Sequence, residues 1–224
     1  MNRDLPACLL FDLDGTLIDS LPGIEFSVGE AFKTCKLPLP DGSLRELIGP
    51  PIRTILSRVG NIVEEGCLDA LERAFRASYD SEGWHKTACF PEADRVVKML
   101  HDRGHRLFVV SNKPRQVSLQ ILTRERIREY FEAIVTRDSR SPNYRGKEEM
   151  IEVLLAERTI AREKCLLVGD TMEDANAAAS VGIDFIWMTH GYAVRAQMSA
   201  HSVAHTMESF SRFLPLIAKE PICD

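Results

Sequence analysis

A short apolar run, Leu9, Leu10 and Phe11, stops abruptly at Asp12, Leu13, Asp14, Gly15 and Thr16, which predicts a buried strand ending in a turn. The period then changes. From about Pro22 to Trp84, Phe26, Val28 and Phe32, then Leu44, Leu47 and Ile48, then Ile52, Ile55 and Leu56, and later Leu68, Leu71, Phe75 and Tyr79 recur near three- and four-residue spacing. That spacing predicts a bundle of short amphipathic helices. Turns are expected over Leu37 to Gly42, at Gly49 to Pro51 and at Gly60 to Asn61.

From Phe90 onward strand and helix patterns alternate. Helices are expected over Pro91 to Arg103, Gln116 to Ile127, Lys147 to Arg158 and Glu173 to Val181, with strands over Arg106 to Val110, Phe131 to Thr136, Cys165 to Val168 and Asp184 to Met188. Such alternation predicts an α/β fold, a three-layer Rossmann-like parallel sheet with helices on both faces. The helical segment interrupts it after the first strand, and so stands beside the carboxyl end of that strand, where open α/β sheets bind ligands.

At 224 residues, 45% hydrophobic and 27% charged, the chain can bury a full core. A formal charge of -5 leaves no electrostatic footprint for a nucleic-acid backbone or an anionic membrane. The cysteines, Cys8, Cys35, Cys67, Cys89, Cys165 and Cys223, show no CxxC pair and no metal-finger spacing, so reduced thiols are expected. The first residues have too short an apolar run for a signal peptide and no segment reads as a membrane span, which gives the expectation of a soluble cytoplasmic protein. His85, His101, His105, His190, His201 and His205 show no ligand spacing and are read as surface residues, and the charged run Arg124 to Glu129 as a solvated helix face.

Four polar clusters fall at or just after expected strand ends: Asp12 to Thr16; Ser111, Asn112 and Lys113; Lys147 at a helix start; and Gly169, Asp170, Thr171 and Asp174. Residues two apart on extended chain share a side, so Asp12 and Asp14 are placed together. Two such carboxylates need a cation, hydrogen-bond donors or a shared proton. Each cluster also has a plain structural reading, as a helix cap, a turn before Pro114 or a solvated lysine.

DLDGT, VVSNK, the helix-initial lysine and GDTMED resemble the haloacid dehalogenase superfamily, in particular its phosphoglycolate-phosphatase-like branch, over nearly the whole chain. The resemblance implies that Asp12 is a nucleophile giving an aspartyl-phosphate, and that Asp14 is general acid and then general base. It implies Mg²⁺ held by the Asp12 carboxylate, the Asp14 carbonyl and the Asp170 carboxylate, with Asp174 acting from behind on a metal water or on Lys147. Ser111, Asn112 and Lys147 would hold the transferring phosphoryl group, and Thr16 and Gly15 would shape the turn. Relatives often carry Lys-Pro where this chain has Lys147-Glu148, with Arg145 as another cation nearby.

Residues 19–87 resemble the family's small helical cap domain, inserted into an α/β core of residues 1–18 and 88–224, with hinges near Asp19 to Gly23 and Ser81 to Pro91. In IGPPIRTIL, Arg53 is the candidate contact for an anionic leaving group, beside the alternative of a solvated helix-face arginine. The expected activity is Mg²⁺-dependent hydrolysis of a small phosphorylated, phosphoglycolate-like metabolite. A β-phosphoglucomutase-type phosphomutase, a pyrophosphatase and a non-catalytic binding protein are the alternatives, and Asp14 argues against dehalogenase or phosphonate-hydrolase chemistry, which has no leaving oxygen to protonate. The physiological substrate and the oligomeric state, monomer or homodimer, stay open.

Overall fold

The computed structural model describes residues 5–193, 203 and 205–217; His201 and Cys223 lie outside the described residues. In chain order the strands are β1 Cys8–Phe11, β2 Ile18–Asp19, β3 Ala88–Cys89, β4 Arg106–Ser111, β5 Ala133–Thr136, β6 Cys165–Gly169, β7 Asp184–Met188 and β8 His205–Met207. The α-helices are α1 Leu21–Thr34, α2 Ile52–Gly60, α3 Glu65–Ser81, α4 Ala93–Asp102, α5 Arg115–Arg124, α6 Lys147–Glu157, α7 Met172–Val181 and α8 Leu214–Ile217.

Six strands form one sheet in the order β5-β4-β1-β6-β7-β8, every pair parallel. Alternate side chains serve opposite faces. Leu9, Phe11, Val109 and Val168 pack with Val96, Leu100 and Ile121 of α4 and α5, whereas Cys8, Leu10, Phe108 and Leu167 pack with Ile151 of α6 and Ala178 of α7. Burial on both faces is why these strands read as continuous apolar runs. The chain leaves β1 toward β4 and β5 but leaves β6 toward β7 and β8, so the carboxyl ends of β1 and β6 flank the topological switch point.

Between β2 and β3, which pair as a two-stranded antiparallel ribbon, lie α1, α2 and α3. Ile24, Val28, Ala31 and Phe32 of α1 meet Leu68, Leu71, Phe75 and Tyr79 of α3 in one buried cluster, the Val, Leu, Ile and Phe side chains each contributing about 1.5–3 kcal/mol when fully buried. Phe26 is only half-buried, with the Lys86 ammonium 4.4 Å above its ring, so the buried stripe runs through Ile24 instead.

Other expectations shift. Neither the β2–β3 ribbon nor β8 was visible in the pattern, because two- and three-residue strands carry no periodicity. α5 ends at Arg124 rather than Ile127, and the charged run is not a solvated helix face: Arg124 donates to the Trp84 and Thr87 carbonyls and Glu125 accepts from the Cys89 N–H. His190 is not a free surface residue either, since its ring lies 4.1 Å from that of Phe90 and Nε2 sits 3.1 Å from the Thr16 carbonyl. Burial lowers its pKa. The cysteines among the described residues are unpaired thiols. Among the described residues no helix is long and apolar enough to cross a membrane.

Candidate active site

Asp12 follows β1 directly, and its N–H continues the ladder by donating to the Val168 carbonyl of β6 at 2.9 Å. The chain then folds back at once. Leu17 and Ile18 both donate to the Leu13 carbonyl, and Gly15 donates to Ile18. Gly15 has φ +84°, and a Cβ there would stand 2.3 Å from Asp170 Oδ2, so a glycine is required for Asp170 to approach. Thr16 Oγ1 donates to Asp170 Oδ1 at 3.2 Å, and the Tyr192 N–H donates to Oδ2 at 2.7 Å.

Asp174 lies in the first turn of α7 and is fully buried. It forms a capping box with Thr171, Oδ2 accepting from the Thr171 N–H at 3.0 Å and from Oγ1 at 2.6 Å. The cap reading is thus realised. Its other oxygen accepts from Lys147 Nζ, which also donates to Asp12 Oδ1 at 2.7 Å. Lys147 begins α6 and its side chain is 4% exposed. Arg145, the alternative cation, is 88% exposed and pairs with Glu149.

One carboxylate oxygen each from Asp12, Asp170 and Asp174 lie within 4.8 Å of one another, and the Lys147 ammonium bonds two of these three buried acids. The electrostatics follow. Burial, opposed by Lys147 and aided by Asp174, pushes Asp12 up to about 7, and burial with the Asp12 and Asp174 charges raises Asp170 well above the carboxylate range. Burial works against the Lys147 charge, but Asp12 and Asp174 overcome it and hold the ammonium above the ordinary lysine value. An all-oxygen donor set with surplus negative charge fits a hard divalent cation such as Mg²⁺ and offers nothing to a thiophilic one.

Ser111 ends β4, is buried, and accepts from the Lys113 N–H at 3.2 Å. Asn112 uses its side chain differently, donating to the Gly49 carbonyl at 3.2 Å and to Glu173 at 2.8 Å, so it ties the β4 end to the loop before α2. A cavity of about 460 Å³ opens between the strand ends and α2–α3, lined by Asp12, Asp14, Ser111, Lys147, Arg53 and Phe75 among others. Arg53 reaches its wall, but the guanidinium is held by Asp69 at 2.8 Å, Glu72 at 3.2 Å and Glu65. The charge expected to meet an anionic leaving group is already neutralised from within the helical segment.

Two side chains at this cavity had no role in the sequence reading. Lys113 Nζ donates to Asp14 Oδ1 at 2.9 Å and to the Tyr79 hydroxyl at 2.7 Å. The lysine was visible in the cluster after β4, whereas Tyr79 carried only the signal of a core position on α3.

The sequence model of the haloacid dehalogenase-like hydrolases matches residues 9–188. Tyrosine-protein kinase PtkA of Mycobacterium tuberculosis is 32% identical over 189 residues, 84% of this chain. The chain spans about 63% of the length of that relative. A 5'-nucleotidase of Pseudomonas aeruginosa is 30% identical over 88% of this chain and 89% of its own, and a phosphoglycolate phosphatase of Psychrobacter arcticus 28% identical over 94% and 95%. Among solved structures, a haloacid dehalogenase-like hydrolase of Streptococcus pneumoniae has a TM-score of 0.84 at 23% identity, covering 94% of this chain and 97% of that one.

Proposed function

The chain belongs to the haloacid dehalogenase-like hydrolases, and from that premise we propose that it is a phosphatase hydrolysing a small phosphorylated metabolite through an aspartyl-phosphate on Asp12. The observation that carries this reading is the clustering of the Asp12, Asp170 and Asp174 carboxylates at the switch point, with the Lys147 ammonium bonded to Asp12 and Asp174. Phosphoglycolate and nucleoside phosphates are the substrate chemistries named for two of the relatives.

In this reading the Asp12 carboxylate attacks phosphorus and the ester oxygen leaves with a proton from Asp14. Asp14 then takes a proton from the water that hydrolyses the acyl phosphate. Mg²⁺ held by the carboxylates of Asp12 and Asp170 and the carbonyl of Asp14 would supply the charge neutralisation that lets an anionic nucleophile meet an anionic ester. Lys147 adds a fixed positive charge beside the nucleophile, the Ser111 hydroxyl and the Asn112 backbone N–H donate to the phosphoryl oxygens, and Asp174 keeps Lys147 aimed. Removing one such preorganised donor commonly costs on the order of 3 kcal/mol in the transition state.

Residues 19–87 act as the cap over a core of residues 1–18 and 88–224, closing the cavity against water. The β2–β3 ribbon that brackets α1 to α3 supports that division, and the Asn112 bond to Gly49 supports closure, since it joins a strand end to the segment above it. The test is phosphate release from p-nitrophenyl phosphate and phosphoglycolate with Mg²⁺, compared with EDTA and with Asp12→Asn. Release that survives either control sinks the reading. Transfer of the phosphoryl group to a tyrosine peptide or between sugar positions, without free phosphate, would assign a transferase instead.

A further inference from the structure

Lys113 is the second buried lysine at the cavity, and its side chain is 5% exposed. A buried ammonium is tolerated only when paired and hydrogen-bonded. Its polar partners are Asp14 Oδ1 at 2.9 Å and the Tyr79 hydroxyl at 2.7 Å, and the ammonium also stands 4.6 Å from the centroid of the Tyr79 ring. Burial alone would lower its pKa, but Asp14 and Tyr79 hold it above the ordinary lysine value.

The two ends of this arrangement belong to different parts of the fold. The Lys113 backbone is fixed just after β4, where its N–H donates to Ser111 Oγ at 3.2 Å and Pro114 caps α5. Tyr79 comes from α3, stacks on Phe75 with centroids 5.3 Å apart, and its hydroxyl lies 3.5 Å from Thr87 Oγ1. The ammonium stands between the Tyr79 hydroxyl and the Asp14 carboxylate, which is otherwise loosely held: Asp14 Oδ2 has no hydrogen-bond partner among the described residues, and Asp14 lines the cavity.

Resting on the reading of Asp14 as proton donor, we infer that Lys113 and Tyr79 are positioning residues for that carboxyl. Lys113 anchors Oδ1 and leaves Oδ2 for the leaving oxygen, and Tyr79 completes the anchor only while α3 is seated over the sheet. Two lysines thereby divide the aspartate pair: Lys147 serves Asp12, and Lys113 serves Asp14. The helical segment contributes to the chemistry through Tyr79 without touching the phosphoryl group. A misplacement of about 1 Å in a reacting group can cost roughly a hundredfold in rate.

A proton donor matters for a poor leaving group and little for a good one, so the test compares kcat/KM for an alkyl phosphate and for p-nitrophenyl phosphate with Mg²⁺. Because kcat/KM reports steps through phosphoryl transfer, later hydrolysis of the acyl phosphate does not enter. Lys113→Met keeps the aliphatic packing and removes the ammonium. It is expected to lower the alkyl ester by about 10²-fold or more, within the usual range for general acid catalysis, and the p-nitrophenyl ester by less than about tenfold. Tyr79→Phe is expected to bias the two esters in the same direction by a smaller factor, and it keeps the test alive where Lys113→Met does not fold.

Asp14→Asn sets the reference. If it shows the bias against the alkyl ester and neither Lys113→Met nor Tyr79→Phe does, or if both lose equally on the two esters, the inference is overturned while the reading of Asp14 stands. If Asp14→Asn itself shows no bias, the reading falls and the inference with it.

Discussion

Replacing Asp170 by asparagine should stabilise the metal-free protein and abolish its response to Mg²⁺. Asp170 shares a 4.8 Å cluster with Asp12 and Asp174, and two like charges at that distance repel by about 3.5 kcal/mol at an effective dielectric near 20. Two such repulsions act on it, and the Lys147 attraction offsets about one. The amide loses part of what the carboxylate received from Tyr192 N–H and Thr16 Oγ1, a loss of about 1–3 kcal/mol. A net gain of about 1–2 kcal/mol remains, or about 2–8 °C in Tm for a chain of this size.

The gain depends on pH in a defined sense. Asp170 in the folded protein holds its proton to a higher pH than in the unfolded chain, so the native carboxyl is at no disadvantage below the unfolded value near 4. Stability is then lost as pH rises through the folded value. Asp12, pushed up to about 7, loses stability over the same direction. In EDTA the variant's advantage over the native protein should therefore be smallest near pH 4 and grow as pH rises toward 8. With Mg²⁺ at a hundredfold excess over its Kd the native protein gains about 2.7 kcal/mol and the variant far less. Thermal unfolding across that pH range, with EDTA or Mg²⁺, measures both. A variant less stable than the native chain in EDTA at pH 8, or equally stabilised by Mg²⁺, refutes the reasoning.

Lys147→Met leaves Asp12 and Asp174 without their shared ammonium, so it should lose about 3 kcal/mol of stability in EDTA, partly restored by Mg²⁺, and at least about 10² in kcat; chemical unfolding and initial rates read the two effects. At Gly191 a Cβ would lie 2.2 Å from Asp170 Cβ and 2.4 Å from Oδ2. Gly191→Ala should therefore raise the Mg²⁺ concentration for half-maximal activity about 10–100-fold while leaving kcat at saturating Mg²⁺ close to native, as a metal titration of the rate would show.

Much of this site is legible in the chain because its residues sit next to strong strand signals. Asp12 and Asp170 each follow an apolar run at the carboxyl end of a central strand, and topology alone then brings them together. Lys147 is legible as a helix start, although nothing in Gly146-Lys147-Glu148 says that its side chain turns inward. Asp174 is readable either as a cap or as a site residue, and in the structure one of its oxygens accepts from Thr171 and the other from Lys147. What the sequence hides is side-chain traffic between segments. The Arg53 charge reads as free because its partners Glu65, Asp69 and Glu72 lie on another helix. Tyr79 reads as core because its ring is core and only its hydroxyl reaches Lys113. The ribbon of β2 and β3, which brackets the helical segment, is too short to show a period.

In the proposed mechanism the phosphoryl group passes through Asp12. Asp14→Asn, incubated with p-nitrophenyl phosphate and Mg²⁺ and quenched in acid, should accumulate a phosphoryl group, because the good leaving group needs no proton and the acyl phosphate lacks its base. Peptide mass spectrometry should place that phosphoryl group on Asp12, with none in EDTA and none in Asp12→Asn. Phosphate release from the native enzyme with no covalent phosphoryl group trapped in this variant, or with the label on another residue, would contradict the account.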